Sequence, residues 1–248
     1  MVLYEVILCL GNNNLSIKSH EFFSIKKNLL NMKKCCGKST LFFLVLLLAS
    51  FISNAQITWD GSSSTDWNTT ANWSTNSVPT SSDDVIIPDV TNDPVLSSSS
   101  DVCKDMTIQN GAILTSNNSS YKLTASSITV NDGGSLVISN GDVEITGTSD
   151  INGILEIGTG TFDANGTFDA TGGAVTFTDA GRLELAGTVT SLGTLTELTG
   201  TVEYDGGTQN VLAESYYNLV IDQSGDKTAQ GGTLSLIHIS EPTRLAEI

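Results

Sequence analysis

GILEIGTGTFDANGTFDATGGAVTFTDAGRLEL, residues 153–185, contains three apolar triplets with a polar centre: Leu155-Glu156-Ile157, Val175-Thr176-Phe177 and Leu183-Glu184-Leu185. Side chains alternate across a strand, so the outer residues of each triplet face one side and the centre faces the other. Working outward, Leu136-Val137-Ile138 repeats the pattern upstream. A glycine, one residue and then an apolar triplet recur from Gly111, Gly134, Gly153, Gly173 and Gly193, at intervals of 23, 19, 20 and 20 residues. A second set of strands falls between them, around Ile128, Val143, Phe162–Phe168, Leu183 and Val202. Two or more short strands per repeat of about 20 residues is the signature of a solenoid, whose coils stack because none buries its apolar side alone. The expected fold is all-β, a right-handed parallel β-helix (β-solenoid) with an aromatic amino-terminal cap. A β-sandwich is the alternative, since it too has turn signals every 8 to 12 residues or so. The near-constant interval and the scarcity of aromatic residues favour the solenoid.

The ends of the chain read differently. Met32-Lys33-Lys34 and Lys38 precede an apolar run of 11 residues, Leu41–Phe51, and Ser53-Asn54-Ala55 then offers a small-x-small cleavage site. That is the order of a secretory signal peptide, and the run is short of the roughly 20 residues that span a membrane. Residues 1–31 read as upstream sequence translated from too early a start, and 32–55 as the signal. Cys35 and Cys36 precede the apolar run, where a lipid-anchoring cysteine would follow it. At the other end, LSLIHISEPTR (234–244) resembles the in-frame translation of a short-read sequencing adapter. The expectation is that 234–248 is an artefact and that the protein is a fragment of a larger one.

The segment 56–233 carries four Lys and Arg (Lys104, Lys122, Arg182, Lys227) against 23 Asp and Glu, a net charge of −19. Such a surface repels nucleic acid phosphates and anionic headgroups, which argues against a nucleic-acid partner and against membrane insertion once the signal is removed. It could collect calcium loosely, but no resident cofactor or metal is expected. Cys103 is the one cysteine of this segment, and both histidines, His20 and His238, lie outside it. That removes Ser-His-Asp and Cys-His catalysis and most zinc sites. Asp83 and Asp84 are adjacent and should face opposite ways, whereas Glu144, Glu156 and Glu184 should line the solvent side. Arg182 with Glu184 and Glu156 is the one conceivable acid–base grouping. A solvated sheet face accounts for it better, so no catalytic residues are assigned.

All three tryptophans fall within 15 residues, in TWDG (58–61) and DWNTTANWSTNSVPTSSDDVIIP (66–88). This block resembles the W-N-x-x-x-N-W…V-P-x-x-x-D-x-V-x-I-P motif near the amino terminus of large bacterial surface proteins exported by the type IX pathway. GTVEYDGGTQNVL (200–212), YYNLVI (216–221) and GDKTAQGGT (225–233) resemble repeat units of the same group. The resemblance implies a β-helix body like those of autotransporter passengers and adhesins, at the outer cell surface. It implies almost nothing about activity; a sorting domain of that group would lie past the break.

Trp59, Trp67 and Trp73 have two readings: a hydrophobic cap over the first coil, or a weak sugar-stacking platform. Asn68 and Asn72 should hydrogen-bond their own turns. The strings beginning at Asn68, Asn72, Asn118 and Asn165 match the N-glycosylation pattern and read as turn chemistry. The expected organisation is a Trp-rich cap and first coil over 56–104, then repeats over 105–233. The expected function is a non-catalytic, secreted, adhesin-like scaffold whose partner would be an extracellular polysaccharide or a host or cell-surface ligand. The stalk of a polysaccharide-degrading enzyme and a carbohydrate-binding module are the alternatives.

Overall fold

The computed structural model describes residues 56–222 and 225–230, together with the backbone of 235–240. The expected leader (1–31), the expected signal (32–55) and most of the expected artefact lie outside these residues. Among the described residues the protein is a parallel β-solenoid, with one short 3-10 turn, Thr70–Asn72, and no helix long and apolar enough to cross a membrane.

Each coil has three faces. The first is a seven-stranded sheet of Ile57–Thr58, Val85–Ile87, Asp105–Ile108, Ser127–Val130, Ser149–Ile151, Phe168–Asp169 and Val189–Ser191, every pairing parallel. The other two faces belong to one 11-stranded sheet bent along its length. Two long strands, Ile113–Ala125 and Ser135–Ile145, run through the bend, so their halves pair with different neighbours. The first half of Ser135–Ile145 pairs with Ile154–Ile157, which is followed by Ala174–Phe177 and Thr194–Thr196. Its second half pairs with Thr161–Ala164, then Arg182–Leu185, Thr201–Tyr204, Ser215–Ile221 and Ser235–Ser240.

The second strand set read from the sequence therefore divides between two faces. Ile128 and Phe168 lie on the first, whereas Val143, Phe162, Leu183 and Val202 lie on the third. First-face strands begin at Ile57, Val85 and Asp105, so residues 56–104 carry two coils where the sequence suggests one.

Register makes the core. Leu114, Leu136, Leu155 and Val175 stack in one inward ladder, and Leu123, Val143, Phe162, Leu183 and Val202 in another. All are buried, while the triplet centres Val137, Glu156, Thr176 and Glu184 stay half-buried. Each such burial contributes about 1.5–3 kcal/mol. A one-residue slip would turn a whole ladder outward, which is why register is held so uniformly.

The corners are columns of glycine. Gly134, Gly153, Gly173 and Gly193 stack between the first and second faces, Gly141, Gly160 and Gly181 between the second and third, and Gly147, Gly166 and Gly187 between the third and first. At most of these positions a Cβ would run into a carbonyl of the coil below. Only a residue without Cβ lets the backbone turn there without spreading the coils.

After Thr194–Thr196 the coil changes shape. The first two faces end, and Gln209–Val211 pairs with Lys227–Ala229 in a separate two-stranded sheet. Gln209 Nε2 donates to Leu185 O (2.7 Å) and Gly187 O (2.8 Å), tying this segment to the coil below. Tyr204 and Tyr216 fill the narrowed core, with hydroxyls 3.2 Å apart.

Candidate functional site

The tryptophan block builds the amino-terminal end of the stack. Trp59, Trp67 and Trp73 are 0–1% exposed. Trp73 stands between the other two, edge to face with both: ring centroids are 4.9 Å apart to Trp59 and 4.7 Å to Trp67, at 80° and 78°. Trp59 Nε1 donates to Asn92 O (2.7 Å) and Trp73 Nε1 to Trp67 O (2.8 Å), while Trp67 Nε1 has no partner among the described residues. All three rings lie inside the protein, packed as a cap over the first coil would require.

The rest of the block serves the same turn. Gly61 adopts φ +57°, and a Cβ there would lie 3.0 Å from Trp59 Nε1. Asn72 is fully buried and fully bonded: Oδ1 accepts from Ser63 N and Ser64 N, and Nδ2 donates to Ser64 Oγ and Asp66 O. The Asn68 side chain does not bond its own turn as expected but reaches the next coil, its Nδ2 donating to Ser97 Oγ and Asp101 Oδ1, both 2.8 Å away. Asp101 is buried, which raises its pKa above the usual carboxylate range. Asp66 is held low, chiefly by the hydrogen bond from Ser97. Trp73 also forms an antiparallel bridge with Trp59, and Ser74 N donates to Thr58 O, closing the outer edge of the first strand. Open strand edges recruit other strands. Asp83 accepts from Thr80, and Asp84 pairs with Lys104 at 2.9 Å, so the two acids part as alternation requires.

The second constellation lies on the outer side of the third face. Register aligns Glu144, Asp163, Glu184 and Glu203 in one row, on strands about 4.8 Å apart. A second row carries Asp142, Thr161, Arg182 and Thr201, with Lys122 opposite Asp142. Lys122 Nζ is 2.8 Å from Glu144, and Arg182 bridges Glu184 (3.6 Å) and Glu203. Glu156 takes no part in this grouping, because the three-faced coil puts it on the second face beside Val137 and Thr176. Burial raises the pKa of Asp163, helped by Glu144 and Asp205, and burial also raises that of Glu184, helped by Glu203.

The depression over the ladder, bounded by Lys122, Asp142, Glu144, Asp163 and Glu184, encloses about 230 Å³. Ligand pockets run at roughly 300–1,000 Å³. Two acids whose pKa values are raised, Asp163 and Glu184, lie side by side in this shallow depression. Among the described residues no group of three or more His, Cys, Asp or Glu is arranged to hold a metal ion. Cys103 is buried, and its thiol is pushed up to about 12 by that burial and by Asp105 and Asp84, so it is a poor nucleophile.

The comparisons with known proteins bear on residues 58–163. A family described as a domain of unknown function (DUF8693) matches residues 58–163, from the TWDG turn to the third coil beyond the block's signature. No curated protein and no solved structure matches the chain.

Proposed function

We propose that this chain is the non-catalytic body of a secreted, adhesin-like cell-surface protein, and that its solenoid serves as a rigid spacer for a binding element elsewhere in the full-length molecule. The carrying observation is that parallel pairing on the first face continues from Ile57 to Ser191 over a single core, while its amino-terminal edge is closed by Trp73–Ser74. Each coil adds about 4.8 Å of length and rests on its neighbours alone. The net charge of −19 over 56–233 keeps such a rod soluble and away from anionic surfaces. The signal-like run at 32–55 and the resemblance of 66–88 to type IX cargo support export to the outer surface.

The test is made on the full-length protein in its own cells. Deleting one coil, Ser149 to Thr167, should leave surface labelling intact and shorten the reach of adhesion. Release of oligosaccharides from neutral or uronic-acid polymers by the purified chain would overturn the non-catalytic reading. A polysaccharide-degrading role is favoured by one observation, the neighbouring Asp163 and Glu184. In that case Asp163→Asn and Glu184→Gln would each abolish the release.

A further inference from the structure

We infer that Asn165 is the position at which this solenoid undergoes spontaneous deamidation, and that the fold protects the other Asn-Gly pairs. The chain between 56 and 233 has four such pairs, Asn110-Gly111, Asn140-Gly141, Asn152-Gly153 and Asn165-Gly166. Glycine after asparagine permits the reaction because no Cβ hinders approach of its nitrogen. The Gly nitrogen attacks the asparagine Cγ, a new N–C bond forms, the Cγ–Nδ2 bond breaks, and ammonia leaves with the proton that nitrogen gave up. Water then opens the succinimide, to aspartate or, with the main chain rerouted through the side chain, to isoaspartate.

Three pairs are tied. Gly111 N donates to Gly133 O (2.9 Å), and Asn110 Nδ2 to Asp132 O (2.9 Å). Gly153 N donates to Val130 O (2.9 Å), and Asn152 Nδ2 to Asp150 Oδ1 (2.8 Å). Asn140 and Gly141 lie inside the strand Ser135–Ile145, with Asn140 paired to Asn117. The fourth pair differs. Asn165 and Gly166 fall between the strands Thr161–Ala164 and Phe168–Asp169, and Asn165 is exposed. Among the described residues the Gly166 N–H donates no hydrogen bond, so the attacking nitrogen is tied to no acceptor, and the Asn165 carboxamide meets only Asp163 of its own coil.

The site also sits where the product would matter. The Asn165 carboxamide is hydrogen-bonded to Asp163, so deamidation replaces a donor to the acidic row with another negative charge. Isoaspartate would add a main-chain atom next to Gly166, in a corner column with no spare room.

The test is peptide mass mapping of the folded chain after incubation in mildly alkaline buffer, with isoaspartyl methyltransferase labelling as a second readout. The expected result is a mass gain of about 1 Da, exchange of NH2 for OH, appearing first at 165–166. The two pairs whose bonds must open first should lag by roughly tenfold or more. In denaturant the four should react at similar rates, and Asn165→Gln should abolish the early gain in the folded protein. Reaction in the folded protein at Asn110 or Asn152 as fast as at Asn165, or no reaction at Asn165, overturns the inference.

Discussion

Replacing Gly181 by alanine separates two opposed effects. Gly181 has an ordinary negative φ, so the added methyl strains no dihedral and should stabilise by about 0.4–1 kcal/mol through the unfolded chain. Space opposes it. A Cβ at 181 would lie 2.5 Å from Gly158 O, 2.6 Å from Ile157 Cγ2 and 2.8 Å from Gly160 O, whereas real Cβ contacts essentially never fall under 3.0 Å. Two of these neighbours are backbone and the third is a buried methyl, so the corner itself must move, by roughly 0.5 Å or more. Arg182 N to Gly160 O (3.0 Å) and Thr201 N to Gly181 O (2.9 Å) anchor that corner to the coils on either side. Stretching both costs about 1 kcal/mol each, and overpacking adds about 1–3 kcal/mol. The net expectation is a loss of about 2–5 kcal/mol, read as a lower urea midpoint at unchanged slope. Gly172 is the control: it has nothing within 4 Å of a Cβ but a φ of +87°. Its alanine variant should lose only the dihedral cost, about 1–2 kcal/mol, with nothing added for crowding. If Gly181→Ala unfolds within about 0.5 kcal/mol of the parent, or Gly172→Ala costs as much, the column argument fails.

Ser149 stands in the buried ladder between Ile128 and Phe168 with its hydroxyl unpartnered, so Ser149→Ala should raise stability by about 1 kcal/mol, and a drop in urea midpoint would contradict this. Asp163 and Glu184 have folded pKa values raised above 3.8 and 4.5, so the stability they contribute is present below those values and lost as pH rises through the folded ones. The double variant Asp163→Asn/Glu184→Gln should therefore gain on the parent as pH rises from 4 toward neutrality; a pH-independent difference in urea midpoint would refute the assignment. The three buried tryptophans should emit at short wavelength, resist iodide quenching and ignore added polysaccharide, and a ligand-dependent shift would mean that a ring face opens.

How far the sequence could be read follows from what each element depends on. The triplets at 155–157, 175–177 and 183–185 announced strands because alternation is local, and the 20-residue interval of one glycine column announced the stack. The third face stayed hidden because Ser135–Ile145 turns its corner without a break, so one run of sequence serves two sheets. The columns at Gly141-Gly160-Gly181 and Gly147-Gly166-Gly187 were equally regular, but their meaning lies in carbonyls one coil below. For the tryptophans the sequence left cap and sugar platform open, because their burial involves partners distant in the chain, such as Asn92 for Trp59. Pairing Arg182 with Glu156 failed for the same reason, since Glu203 is its neighbour across the ladder.

The central claim is the in-register parallel stack, and a spin-label distance tests it most directly. Thr58 and Asp169 belong to one first-face ladder, linked through Ile86, Thr107, Thr129 and Asp150. With the other cysteines replaced, labels at Thr58→Cys and Asp169→Cys should lie five strand spacings apart, about 24 Å, and labels at Thr107→Cys and Asp169→Cys three spacings, about 14 Å. A narrow distribution at both distances, in that ratio, is the predicted result. Broad distributions, or two distances that do not scale with the number of coils between the labels, would contradict the stack.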